Sequence, residues 1–237
     1  MPILQVARDL ARAAAGALLD LVFPPRCAAC GEPVDAEPFC EVCAGAVDPV
    51  PPGCARCGHP GPDTLCGACL AARPAFDAVR AGGLFGGPLA DAVHAFKYGG
   101  RPALARPLGA WLAARAPLPP EGLVVSIPLA RRRRLERGYD QAALLADALA
   151  RAAGARDRRA RTVLRRVRET PPQVGKTREE RARNVAGAFE ASAAVAGRDV
   201  ILVDDVVTTG ATADAAATAL RGAGARSVVV VALARAE

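Results

Sequence analysis

The thirteen residues from Val200 to Thr212, VILVDDVVTTGAT, constrain the fold more than any other stretch of the chain. Four apolar residues in a row, Val200 to Val203, suit a central strand of a parallel sheet covered on both faces, and ligands of such sheets sit beyond the carboxyl ends of the strands. Asp204 and Asp205 fall at that end. The turn Thr208-Thr209-Gly210-Ala211-Thr212 then offers successive backbone N–H groups, three hydroxyls and the positive end of a helix starting near Ala211. Gly210 accepts a backbone conformation closed to larger residues and lets an anion approach the main chain. The combination reads as a cradle for a sugar phosphate. An ordinary strand followed by a capped helix would need one Asp or Thr, not an ordered set of seven such positions.

Eight cysteines form the second constraint, and each belongs to a CxxC pair: Cys27/Cys30, Cys40/Cys43, Cys54/Cys57 and Cys66/Cys69. A shift of 27 residues lays Cys27, Cys30, Gly31 and Pro33 on Cys54, Cys57, Gly58 and Pro60, which marks an internal duplication. Two residues between cysteines let a tight turn aim both sulfurs at one ion, and two turns complete a tetrahedral Zn–S₄ shell. We therefore expect two structural Zn²⁺ ions. Sequential pairing of neighbouring turns is favoured, while a cross-braced arrangement has the same spacings. The chain shows no secretory signal, so metal rather than disulfides is expected, with a cytoplasmic location. Residues 1–25 carry an amphipathic helix (Ile3, Val6, Leu10, Ala14, Leu18) that fits docking on the protein's own core better than a membrane surface, and Pro24-Pro25 ends it. The metal module then covers 26–73 and an α/β domain 74–237.

Charge is concentrated. Arg131 to Arg183 holds 17 basic and 7 acidic residues, an excess of ten, against +7 for the whole chain. Leu123–Pro128 reads as a strand whose exit is a loop of five arginines, Arg131–Arg134 and Arg137, the guanidinium density that a diphosphate or a nucleic-acid backbone requires. The basic segment from Arg161 to Phe189 lacks a clean apolar period and reads as a hood, from which Arg168, Gln173, Lys176, Arg178, Arg181 and Asn184 would close over a ligand. Lys97 reads as a solvated cation at a helix end.

The VDDVVTTGAT string resembles the fingerprint of type I phosphoribosyltransferases. With the cysteine repeat, the RRRRLERGYDQ loop and TPPQVGKTREERARNVAGAF, the chain resembles the ComF family nearly end to end. That resemblance implies a double zinc ribbon joined to a phosphoribosyltransferase-like parallel sheet flanked by helices, with a link to DNA uptake in natural competence. It implies that Asp204 and Asp205 hold ribose hydroxyls, that Thr208, Thr209, Gly210, Ala211 and Thr212 hold the 5′-phosphate of phosphoribosyl pyrophosphate, and that Arg134, Arg137 and Gly138 serve the pyrophosphate. Gln173, Arg181 and Asn184 take the hood role. Tyr139-Asp140 departs from the more usual Phe-Asn, which sets an acid beside the pyrophosphate to weaken anion affinity or to help hold Mg²⁺. Lys176-Thr177 stands where an apolar residue is commoner. No acceptor is implied.

Three functions follow from these readings. The leading one is Mg²⁺-dependent phosphoribosyl transfer by positioning and charge neutralisation. Against it stand a nucleic-acid-handling module using residues 131–183 on single-stranded DNA, and an adaptor whose ribbons grip a competence helicase. The basic region offers only Tyr139 and Phe189 for stacking on bases, so DNA binding there would be electrostatic and indifferent to sequence.

Overall fold

The computed structural model describes residues 24–35, 37–61, 64–170 and 177–236. The expected N-terminal helix over residues 1–23 lies outside them, as do Gln173 and Lys176 and the side chain of Arg178. The metal module contains two short helices, α1 (Glu41–Gly45) and α2 (Gly67–Ala71). The α/β domain follows with β1 (Ala78–Leu84), α3 (Gly87–Tyr98), α4 (Ala105–Arg115), β2 (Leu123–Ser126), α5 (Arg131–Arg137), α6 (Gln141–Ala152), β3 (Leu164–Arg166), α7 (Arg178–Val185), β4 (Phe189–Ala191), β5 (Asp199–Val207), α8 (Ala211–Gly222) and β6 (Ser227–Arg235).

β1, β6, β5 and β2 form one parallel sheet in that spatial order, with Ile201 beside Val229 on one side and Val124 on the other. Strand residues alternate between two cores. Ile201, Val203, Val231 and Leu233 pack with α3, α4 and α6, while Val200, Leu202, Val228 and Val230 pack with α8 and with the small antiparallel ribbon β3–β4. This is the two-sided burial expected of a sheet built from continuous apolar runs.

The strand at the centre is longer than the apolar run alone indicates. β5 continues through both acids to Val207, paired with β6 as far as Arg235. Gly82-Gly83, which reads as chain punctuation, lies inside β1, because a Cβ at Gly82 would fall 2.3 Å from the Trp111 ring packed on the sheet. The arginine segment is helix rather than loop: α5 ends at Gly138 in the left-handed conformation, and the Arg131 N–H donates to Glu169 at 2.7 Å across the helix entrance. The hood segment likewise contains β3, α7 and β4 around its undescribed centre. Thr177 and Glu180 start α7 as a reciprocal capping box, the Thr177 N–H donating to Glu180 at 2.7 Å.

The duplicated module wraps the β1 edge of the sheet, and its halves divide between the two cores. Cys27, Phe39, Cys43 and Val47 join the face carrying α3, α4 and α6, whereas Cys54, Cys57 and Cys69 join the face carrying α8. Phe39 meets Trp111 edge to face at 5.6 Å, and the Leu84 N–H donates to the Asp48 carbonyl at 2.9 Å. Covering an edge strand in this way blocks pairing with other chains.

Candidate functional site

The two metal clusters are sequential: Cys27, Cys30, Cys40 and Cys43 converge in one, Cys54, Cys57, Cys66 and Cys69 in the other, each with its sulfurs within 4.8 Å of one another. The cross-braced alternative is excluded. The duplication holds in geometry as in sequence, since Arg26 bridges Pro33 in the first copy and Gly53 bridges Pro60 in the second. Cys30 and Cys40 sulfurs lie 3.7 Å apart, as do those of Cys57 and Cys66. A tetrahedron with Zn–S near ~2.3 Å has an edge of ~3.8 Å, so the sulfurs are already spaced for the ion. Burial opposes thiolate formation at Cys27 and Cys54, but backbone N–H groups aimed at each sulfur outweigh it and bring both down to about 6. Burial and the neighbouring sulfurs push Cys43 and Cys69 upward. Such a set ionises fully only around a cation.

At the carboxyl ends of β2 and β5 lies a cleft of about 720 Å³, bounded by the ends of α3 and α5 and by the start of α8. It gathers Asp204, Asp205 and the whole of Thr208–Thr212, as the sequence indicates. The acids are adjacent on a strand and so point to opposite faces. Asp205, 4% exposed, turns toward α3 and α6, where it pairs with Lys97 at 2.8 Å and accepts from Gln141 Nε2 at 3.0 Å. Asp204 accepts the Asp205 N–H at 2.8 Å. Burial, and then the Asp205 charge, raise Asp204 to about 8, outweighing the opposing pull of Lys97 and of the Asp205 N–H.

The loop after β5 leads directly into the start of α8. Gly210 has φ +78° and heads α8, and the Thr209 hydroxyl accepts the Ala211 N–H at 3.4 Å. The Phe76 ring packs beside it, 3.4 Å from where a Cβ would stand, an ordinary contact, so it is the backbone conformation that requires Gly. Arg181 of α7 donates to Thr208 Oγ1 at 3.1 Å, which ties α7 to the Thr208–Thr212 loop.

Other expected residues are placed differently. On α5, Arg133 and Arg137 line the cleft, one turn apart, whereas Arg134 is exposed and serves through its carbonyl, which accepts the Gly138 N–H at 2.9 Å. Arg137 stacks on the Tyr98 ring at 4.8 Å, and its Nη1 is buried without a hydrogen-bond partner. Asp140 does not line the cleft: its two oxygens accept the N–H groups of Ala143 and Leu129 as the cap of α6, and Asn, with a single acceptor oxygen, could take only one of the two. Tyr139 packs on Phe96 and donates to the Phe96 carbonyl, and Phe189 is buried, so neither ring is free for bases. Arg168 binds the carbonyls of Asn184 and Ala186, tying β3 to α7 instead of reaching into the cleft.

Sequence reading misses Lys97, Gln141 and Arg166 in the cleft. Two of them leave a trace. Lys97 follows Val93 by four residues on the buried stripe of α3, and Gln141 begins the α6 stripe that continues through Leu145 and Leu149. A polar residue on an apolar stripe needs a buried partner, and Asp205 is that partner for both. Arg166, stacked on Phe189 at 5.3 Å, gives no such signal because β3 is three residues long.

Residues 18–72 match the double zinc ribbon domain family, and residues 139–237 match the phosphoribosyl transferase domain family. The DNA utilization protein YhgH of Salmonella typhi is 35% identical over 229 residues, covering 91% of this chain and 99% of that protein. Competence protein F of Haemophilus influenzae is 30% identical over 222 residues, covering 89% of this chain and 90% of that protein. Among solved structures, glutamine phosphoribosylpyrophosphate amidotransferase from B. subtilis, complexed with ADP and GMP, aligns over 59% of this chain and 30% of that one, with TM-score 0.41 and 23% identity. No helix among the described residues is long and apolar enough to cross a membrane. With a double zinc ribbon followed by a phosphoribosyl transferase domain, and with relatives similar along nearly their whole length, the chain belongs to the ComF family.

Proposed function

We propose that the cleft binds phosphoribosyl pyrophosphate with Mg²⁺ and that the protein transfers the phosphoribosyl group to an acceptor during DNA uptake or DNA use. The observation that carries this reading is one continuous segment. β5 carries two carboxylates with opposite outlooks near its carboxyl end, and five residues after the second Gly210, in the left-handed region, heads α8. A phosphate on the Thr208–Thr212 backbone leaves its ribose within reach of the acids, whose oxygens accept from the 2′- and 3′-hydroxyls. The diphosphate would lie toward Arg133, Arg137 and Lys97.

In the transfer, the acceptor's nucleophile forms a bond to C1′ while the C1′–O bond to pyrophosphate breaks, the bonding pair leaving with pyrophosphate. Positive charge develops on the ribose ring, and the carboxylates favour it. The cations favour the departing anion. Mg²⁺, when bound, would shield charge between diphosphate oxygens, and the raised Asp204 carboxyl offers it an oxygen ligand of the hard type it prefers. No residue of the cleft is assigned as general base: the acceptor either gives its proton to solvent as the bond to C1′ forms or arrives already anionic.

A second reading concerns nucleic acid. Arg131, Arg132 and Arg134 are exposed on α5, on the helix sides away from Arg133 and Arg137. They form a cationic surface for a phosphate backbone that is separate from the cleft, consistent with the DNA-related names of the relatives. A competence helicase would be the protein partner on this reading.

Calorimetry with phosphoribosyl pyrophosphate and Mg²⁺, followed by competition with single-stranded DNA over a salt series, tests both readings. Binding that ribose 5-phosphate displaces and DNA does not is the expected result. Absence of any binding or thermal shift with phosphoribosyl pyrophosphate sinks the first reading. Binding without turnover across bases and anthranilate-like acceptors leaves a sensor in place of an enzyme.

A further inference from the structure

Arg235 ends β6 with only 5% of its surface exposed, on the face of the sheet that carries the second metal cluster. Its Nε donates to the carbonyl of Cys57 at 3.1 Å, and its Nη1 donates to the carbonyls of Thr208 at 2.6 Å and Val207 at 3.2 Å. One guanidinium thus joins a metal-ligating turn to the first residue of the phosphate loop. A second thread runs beside it. Arg56, between the ligands Cys54 and Cys57, donates to the Phe76 carbonyl at 2.7 Å, and the Phe76 ring is the one that packs beside Gly210. The Ala75 N–H reaches Asp214 in the first turn of α8 at 2.6 Å.

The first metal cluster has no counterpart to these threads among the described residues. The duplication puts Ala29 where the second copy has Arg56. The first copy meets the sheet through Phe39 on Trp111 and through the Asp48 carbonyl on Leu84, on the other core.

We propose that Arg235 is a positioning residue for the phosphate loop, and that zinc at Cys54/Cys57/Cys66/Cys69, but not at Cys27/Cys30/Cys40/Cys43, sets the affinity of that loop for a phosphate monoester. The proposal rests on the phosphate-loop reading given above. The physical step is preorganisation: an anion-binding loop gains affinity when its N–H groups are already fixed, because ordering them on binding costs free energy. Zinc holds the Cys54–Cys57 turn, that turn holds the Cys57 carbonyl, and the carbonyl fixes the guanidinium that fixes Thr208. Releasing the metal unfolds the turn and frees the loop.

The test uses the full chain and two paired comparisons. Cys69→Ser and Cys43→Ser each remove one zinc, from the second and first clusters respectively. Amide hydrogen exchange over residues 207–213, measured without ligand, should quicken about tenfold or more in Cys69→Ser and change by less than about twofold in Cys43→Ser. Ribose 5-phosphate affinity should fall about fivefold or more in the first and hold in the second. Arg235→Met, assayed with both zincs retained, should reproduce the loss, and Arg235→Lys should restore part of it. Equal effects of the two cysteine variants, or unchanged exchange in Arg235→Met, overturn the proposal. Wild-type protein that binds no ribose 5-phosphate or phosphoribosyl pyrophosphate overturns the phosphate reading instead, and the exchange contrast then still decides whether the coupling exists.

Discussion

Lys97 Nζ lies 2.8 Å from Asp205 Oδ1, with the two side chains 17% and 6% exposed, so the second acid of the β5 pair is held by a cation from α3 before any ligand arrives. Gln141 holds the other oxygen of the same carboxylate. Asp205 is therefore a fixed acceptor and Asp204 the adjustable one. Losing one partner of a buried pair strands the other charge, at a cost of about 3–5 kcal/mol. Lys97→Met should lower the unfolding free energy by about 3 kcal/mol, since Gln141 still satisfies part of the carboxylate. Lys97→Met with Asp205→Asn should recover most of that loss. Denaturant midpoints of the single and double variants check this, and additive losses would show that the two residues are not coupled.

Asp204 sets a pH dependence whose sign can be worked out. Its folded pKa, about 8, lies above the ordinary carboxylate value, so the folded state holds its proton more tightly than the unfolded chain does. The stability from this group is complete below about pH 4 and is lost as pH rises through the folded value. Ligand-free protein should become less stable between pH 5 and pH 8 by this contribution, and Asp204→Asn should flatten the slope. Phosphoribosyl pyrophosphate with Mg²⁺ favours the ionised form, so binding should release a proton near neutrality and tighten toward pH 8. Thermal melts in both variants and calorimetry in two buffers of different ionisation enthalpy read these outcomes. A slope that persists in Asp204→Asn places the titrating group elsewhere.

Much of this site can be read in the chain because its parts are contiguous. Residues 200–212 carry strand, acids, turn and helix start in one string, and the cysteine spacing marks two metal shells, although the structure is needed to choose sequential over cross-braced pairing. What escapes the sequence is whatever depends on a partner distant along the chain. Lys97 and Asp205 are separated by more than a hundred residues, and only the sheet order brings α3 over the end of β5. The arginine run misleads for another reason. Read as a loop, its five guanidinium groups are interchangeable. Wound as α5, they separate into a pair facing the cleft and a set facing solvent. Asp140 looks like an intruder beside a diphosphate until the start of α6 shows that it is a cap.

Metal content gives the third prediction. Protein purified under reducing conditions should hold about two zinc ions per chain, each in an all-sulfur shell with Zn–S near ~2.3 Å. Cys27→Ser should lose one ion and leave the other, because the clusters share no ligand. Each site contributes on the order of 10 kcal/mol to folding its own ribbon, so a strong chelator should unfold the module. Elemental analysis together with X-ray absorption decides the matter, and zinc-free folded protein or nitrogen in the metal shell would contradict the assignment.

The last prediction separates the two faces of α5. Arg133 and Arg137 are one turn apart and line the cleft, and the buried Nη1 of Arg137 has no hydrogen-bond partner in the ligand-free protein. An anionic ligand supplies an acceptor there, and a charge-assisted hydrogen bond of this kind contributes about 1.5–3 kcal/mol. Arg133→Ala with Arg137→Ala should therefore weaken phosphoribosyl pyrophosphate binding by about 100-fold. Ribose 5-phosphate, which lacks the diphosphate, should lose far less. Arg131, Arg132 and Arg134 are exposed, and Arg132 is already shared with Glu136 at 2.8 Å, so their replacement by Ala should leave sugar-phosphate binding intact. Any affinity for single-stranded DNA should fall instead, uniformly across sequences, with the salt slope flattened by about 0.7 for each phosphate that an arginine no longer neutralises. If both triple and double variants weaken both ligands alike, α5 acts as one cationic surface and the division between cleft and outer face is wrong.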